Sequence, residues 1–97
     1  MKFLNENEKR LYERTVNRFS PWTNYPEELA KMDAELSVWH SRYSRYSQEI
    51  IILAKKGEFD AIPEVADKLN EAERMEKEIG AARKEPARLY WEWRQKK

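Results

Sequence analysis

An all-α fold is predicted: a long antiparallel helical hairpin with a shorter N-terminal helix, together an uneven three-helix bundle within one domain. Three observations predict it. Apolar residues recur three and four apart over most of the chain. Its four prolines and two glycines fall almost entirely where those stripes begin, end or turn. The two long stripes also match when the chain is folded back on itself. At 97 residues the chain has room for a single domain.

The first helix is expected over residues 5–19. Asn5 with Glu8 three residues on is a capping-box pattern, and Phe3 and Leu4 can staple the entry. Leu11, Tyr12, Val16 and Phe19 continue a stripe at helical spacing. Pro21 and Pro26 stand five apart and break it.

The second helix is expected over residues 26–56. Pro26 suits a first turn, because its missing N–H has no partner there. Leu29, Met32, Leu36, Trp39, Tyr43, Tyr46, Ile50 and Leu53 form a heptad seam without a charged or amide residue. The run Ile50-Ile51-Ile52-Leu53 has strand propensity, but the seam passes through it, so helix is preferred. Lys55, Lys56 and Gly57 supply cations and a glycine stop.

The third helix is expected over residues 61–85, continuing after a bend or interruption at Pro86 to about residue 95. Asp60 is its expected cap, with Pro63 in the first turn. Its stripe reads Val65, Leu69, Ala72, Met75, Ile79 and Ala82. Folding at Gly57 pairs positions whose numbers sum to about 118, setting large residues against small ones at Tyr46–Ala72 and Leu36–Ala82 and placing Leu29 opposite Leu89. The first helix is half the hairpin's length and reaches only towards Arg42. The far half then holds more apolar surface than two helices can bury, in Ile51, Ile52, Phe59 and Ile62.

Composition excludes several functions. Nineteen basic against 18 acidic residues leave a net charge of +1, and 38% of residues are charged. That balance is unlike the strongly basic one typical of nucleic-acid binders. With no cysteine there is no disulfide framework, thiolate metal site or cysteine nucleophile. Two glycines cannot make a phosphate loop. No apolar run approaches the length of a bilayer span. Met1 to Glu6 turns acidic before a signal core can form, so a cytoplasmic location is expected.

Candidate chemistry is sparse. His40, the single histidine, has Ser37 rather than Glu three residues before it, and further zinc ligands are lacking. No turn is suited to presenting a serine nucleophile, and Ser41, Ser44 and Ser47 read as a thin polar face. No catalytic residue, metal site or cofactor is expected. Residues 58–85 carry nine acids and five bases, a net of −4, interspersed as on a solvated helix face.

Two aromatic-basic stretches are more informative. Tyr25, Arg88, Trp91, Trp93 and Arg94, with Trp22, are brought by the hairpin register to one end of the bundle. They either staple the first helix and its loop to the hairpin or form the expected partner-binding surface, since Trp, Tyr and Arg dominate interface energetics. Trp91 and Trp93 stand two apart, so at least one points away from the seam. The other stretch, Trp39 to Tyr46, contains Arg42 and Arg45.

The leading expectation is a non-enzymatic protein–protein interaction module, an adaptor, assembly subunit or small inhibitor. It self-associates, with a dimer favoured, through Ile51, Ile52, Phe59 and Ile62, and binds a protein partner at the aromatic end. The alternative is a helical nucleic-acid binder using Arg42 and Arg45 or the basic-aromatic C-terminal stretch.

Overall fold

The computed structural model describes residues 1–19 and 24–96. Among them the chain forms three α-helices, α1 (Glu6–Phe19), α2 (Glu27–Lys55) and α3 (Ile62–Gln95), with a 3₁₀ turn at Phe59–Ala61 between the last two. No strand occurs among the described residues. The expected all-α hairpin bundle is the architecture found, drawn out to 58 × 25 × 20 Å.

Local chemistry sets the boundaries. Asn5 Oδ1 accepts the Glu8 N–H at 2.9 Å, and Glu8 reaches back to the Leu4 N–H at 2.8 Å, so the capping box closes one residue earlier than usual. Phe3 completes the entry edge-on against Tyr12, 5.3 Å between ring centres. Pro26 caps α2 instead of entering its first turn. The far end of α2 closes with two reversed bonds, Gly57 N–H to Ala54 and Glu58 N–H to Leu53. That motif needs a left-handed residue, and Gly57 at φ 75° provides it. Asp60, the expected cap of α3, falls inside the 3₁₀ turn instead. Ala61 takes the cap position, without a side-chain bond.

α2 and α3 pack antiparallel along their length, while the backbone of α1 approaches α2 alone. Cross-helix polar contacts mark the hairpin register. Asp33 meets Arg83 and His40 meets Glu76, both sums of 116, close to the expected 118. Val65, Ala72 and Ile79 are buried as expected.

Beyond Ile79 the stripe departs from the expected one. Ala82 and Leu89 are exposed, and Ala87 and Tyr90 are buried in their place. The cause is period: a straight helix drifts about 20° per heptad, so a strict heptad reading slides off the buried face. Pro86 does not interrupt α3. It removes one backbone bond, and the packing of Ala87 and Tyr90 on Leu29 holds the last turns in place.

The heptad seam of α2 is half-buried through its middle, from Met32 to Leu53. The most deeply buried line lies beside it, at Ala30, Ala34, Val38 and Arg42, four apart. Small side chains there let α1 lie close against α2.

Candidate functional site

Three arrangements carry side-chain chemistry: a buried ion pair under α1, an aromatic end, and an apolar tip.

Glu8 and Arg42 lie at the end of the small-residue line, 3% and 6% exposed. Arg42 Nε and Nη2 donate to the two Glu8 oxygens at 2.8 and 2.7 Å, a bidentate pair. Nη2 also donates to the Lys2 carbonyl at 2.9 Å, and the guanidinium sits 4.4 Å from the Trp39 ring centre. The Arg42 hydrogen bond holds the Glu8 carboxyl below its ordinary range, against the opposing effect of burial. The same bond raises the Arg42 pKa. Arg42 is therefore corrected as a candidate phosphate contact: its donors face Glu8 and Lys2, inside the bundle. Arg45 is exposed, with its guanidinium 3.8 Å from Glu8 and 5.3 Å from the Tyr46 ring centre. No local pattern marks Glu8 and Arg42, 34 positions apart, as partners. The run Ala30, Ala34, Val38, Arg42 is the one available signal.

At the aromatic end, Tyr25 stacks on Phe19 at 4.5 Å and meets Tyr90 edge-on at 4.9 Å. Tyr90, Leu29 and Ala87 form a buried cluster, with Tyr25 and Trp93 packed against it. The Tyr25 hydroxyl donates to Asp33 Oδ2, and Arg83 Nε lies 2.7 Å from Asp33 Oδ1. Burial, and then the Asp33 carboxylate, push the Tyr25 phenol up to about 12. This network ties the loop before α2 to both long helices, and no sequence motif marks Asp33 or Arg83 as its members.

The two tryptophans divide as their spacing requires. Trp93 is half-buried; Trp91 is 46% exposed, with the Arg94 guanidinium 5.6 Å from its ring centre. Arg88 is exposed, but Glu85 and Glu92 bracket it along α3, so its charge is met locally. Trp22 lies outside the described residues. A groove of about 550 Å³ opens here, lined by Asn24, Pro26, Pro86, Leu89, Tyr90 and Trp93.

At the opposite end Ile51, Ile52 and Phe59 are 54%, 51% and 64% exposed. Ile62, expected with them, is half-buried. α1 begins at Glu6, with Glu8 beside Arg42 and Arg45, and Ile51 and Ile52 farther along α2 stay exposed.

His40 Nδ1 stands 3.3 Å from Glu76 Oε1 across the hairpin. Among the described residues no group of three or more histidines and acids could hold a metal ion. Among them, too, no helix is long and apolar enough to cross a membrane.

Comparison with protein families, with curated proteins and with solved structures found no match.

Proposed function

We propose that this chain is a non-enzymatic protein–protein interaction module that self-associates through its hairpin tip and offers its aromatic end to a protein partner. The exposure of Ile51, Ile52 and Phe59 at the end α1 does not cover carries this reading. Each is about half exposed, so burying the remainder contributes roughly 1 kcal/mol per side chain. Six such side chains from two copies give about 6 kcal/mol, comparable with the lower estimates of what association costs. The tip side chains alone therefore leave a surplus of at most about 2 kcal/mol, and association at micromolar concentration, which needs about 8 kcal/mol, draws on further contacts beyond the tip.

Sedimentation equilibrium tests it. The chain should exceed monomer mass as concentration rises, and Ile51→Glu should return it to monomer without lowering its helicity. A monomer at every concentration removes the self-association reading.

A further inference from the structure

The outer face of α2 differs from that of α3. Along α3 from Glu64 to Glu78 every exposed position but Asn70 is charged, and several pair along the helix, as in Glu64–Lys68, Glu73–Lys77 and Arg74–Glu78. Along α2, Ser37, Ser41, Ser44, Gln48 and Ile51 follow at steps of four, three, four and three, with no charge among them. All but Ser37 are exposed, and Ile52 flanks the line. This is a second heptad seam, small at one end and branched at the other.

Two further features lie at the ends of that seam. Beside Ser37 a cleft of about 420 Å³ opens between α1 and α2, lined by Leu11, Arg14, Thr15, Arg18 and Ser37. Beyond Ile51 stands the tip, where the exposed Phe59 is flanked by Glu58 and Asp60. Arg14, Arg18, Glu58 and Asp60 are all exposed, and none of the four has an ion-pair partner among the described residues. Glu58 and Asp60, next to the exposed Lys55 and Lys56, stand at the tip end of this line, and Arg14 and Arg18 stand at its cleft end.

We infer that a second copy of this chain seats antiparallel along the outer face of α2, with each tip entering the other copy's α1–α2 cleft. This rests on the self-association reading above and specifies its geometry. A two-fold axis near Gln48 pairs positions whose numbers sum to 96, laying Ile52 of each copy level with Ser44 of the other, Ile51 level with Arg45 and Lys55 level with Ser41. Ser37 stands about 16 Å before Gln48 along α2, and α2 ends at Lys55, about 10 Å beyond Gln48, with the turn that holds Phe59 past that end. The same axis therefore brings the tip of one copy towards the cleft of the other. Phe59 then meets Leu11 and Thr15, while Glu58 and Asp60 face Arg14 and Arg18. The contact is isologous and closed, so it stops at two copies.

Charge exchange between two variants tests it. One chain carries Arg14→Glu with Arg18→Glu; the other carries Glu58→Arg with Asp60→Arg. Each alone sets like charges together at both contacts and should raise the dimer dissociation constant at least tenfold. Mixed in equal amounts they restore opposite charges at both contacts and should recover dimer. The absence of native cysteine allows a second test, with Ser41→Cys and Lys55→Cys chains mixed and treated with a short thiol cross-linker. The antiparallel arrangement joins position 41 of one chain to position 55 of the other, and holds two copies of position 41 about 21 Å apart.

Recovery on mixing together with the mixed cross-link supports the inference. If the native chain dimerises but the charge variants dimerise equally well, or mixing recovers nothing, or position 41 joins only to itself, this geometry is overturned while the self-association reading stands. A native chain that is monomeric throughout overturns both.

Discussion

At the scale of single residues, the Glu8–Arg42 pair governs whether α1 stays in place. Removing one partner of a buried ion pair leaves the other charge unmatched, which costs about 3–5 kcal/mol. Glu8→Gln should therefore release α1. Because the α1 backbone approaches α2 alone, the hairpin should persist. Hydrogen exchange checks this: amides of residues 10–19 should lose protection while those near Ala72 keep theirs. The pH dependence has a definite sign. The Glu8 pKa is lowered in the folded chain, so its contribution is full above the unfolded value near 4.5 and disappears as pH falls through the folded value. Tyr25 works in the opposite direction. Its pKa is raised from 10.0 to about 12, so its contribution is full below pH 10 and lost as pH rises through 12. Tyr25→Phe should cost about 1 kcal/mol at neutral pH, the worth of one hydroxyl bond. It should also flatten the alkaline part of the stability–pH curve measured by urea unfolding.

At the scale of the helix, α2 serves two neighbours with two different lines of residues. The line towards α3 is legible in the sequence, because large apolar side chains three and four apart announce it. The line under α1 is not, because Ala30, Ala34 and Val38 look like spacing material and Arg42 looks like a surface cation. What decides their burial is close approach of two backbones, a property of size rather than hydrophobicity. The aromatic end is legible as a cluster. Its division is only half so: spacing separates Trp91 from Trp93, but the Tyr25–Asp33–Arg83 network depends on a fold-back that no local pattern encodes. The small-residue line gives a sharp test. Ala34 is 0% exposed, so Ala34→Leu forces three extra carbons between α1 and α2. Overpacking of this kind costs about 1–3 kcal/mol. Exposed Ala81 on α3 is the control, where Leu should change stability by less than about 0.5 kcal/mol. Thermal unfolding followed by circular dichroism distinguishes the two. Equal effects would mean that α1 does not press on Ala34.

At the scale of the whole molecule, the thinness of the bundle connects stability to association. Among the described residues only nine apolar ones are buried, four of them alanines, and of the larger ones just Leu29 and Val38 are buried completely. A core this small supports only a few kcal/mol of net stability. Binding a second copy adds to it by mass action, because only the folded chain presents the tip and the outer face of α2. The melting temperature should therefore climb with protein concentration. For a domain of this size, about 1 kcal/mol moves it by about 4–8 °C. Ile51→Glu should remove the climb, leaving a concentration-independent transition near the native chain's dilute limit, since Ile51 is already half exposed in one copy. Trp91→Ala, at the opposite end, should leave the climb intact. A melting temperature that does not move with concentration would mean that the apolar tip contributes nothing beyond the single chain. Scanning calorimetry over a wide concentration range measures the native chain and both variants on one scale and separates a coupled dimer from an independently folding monomer.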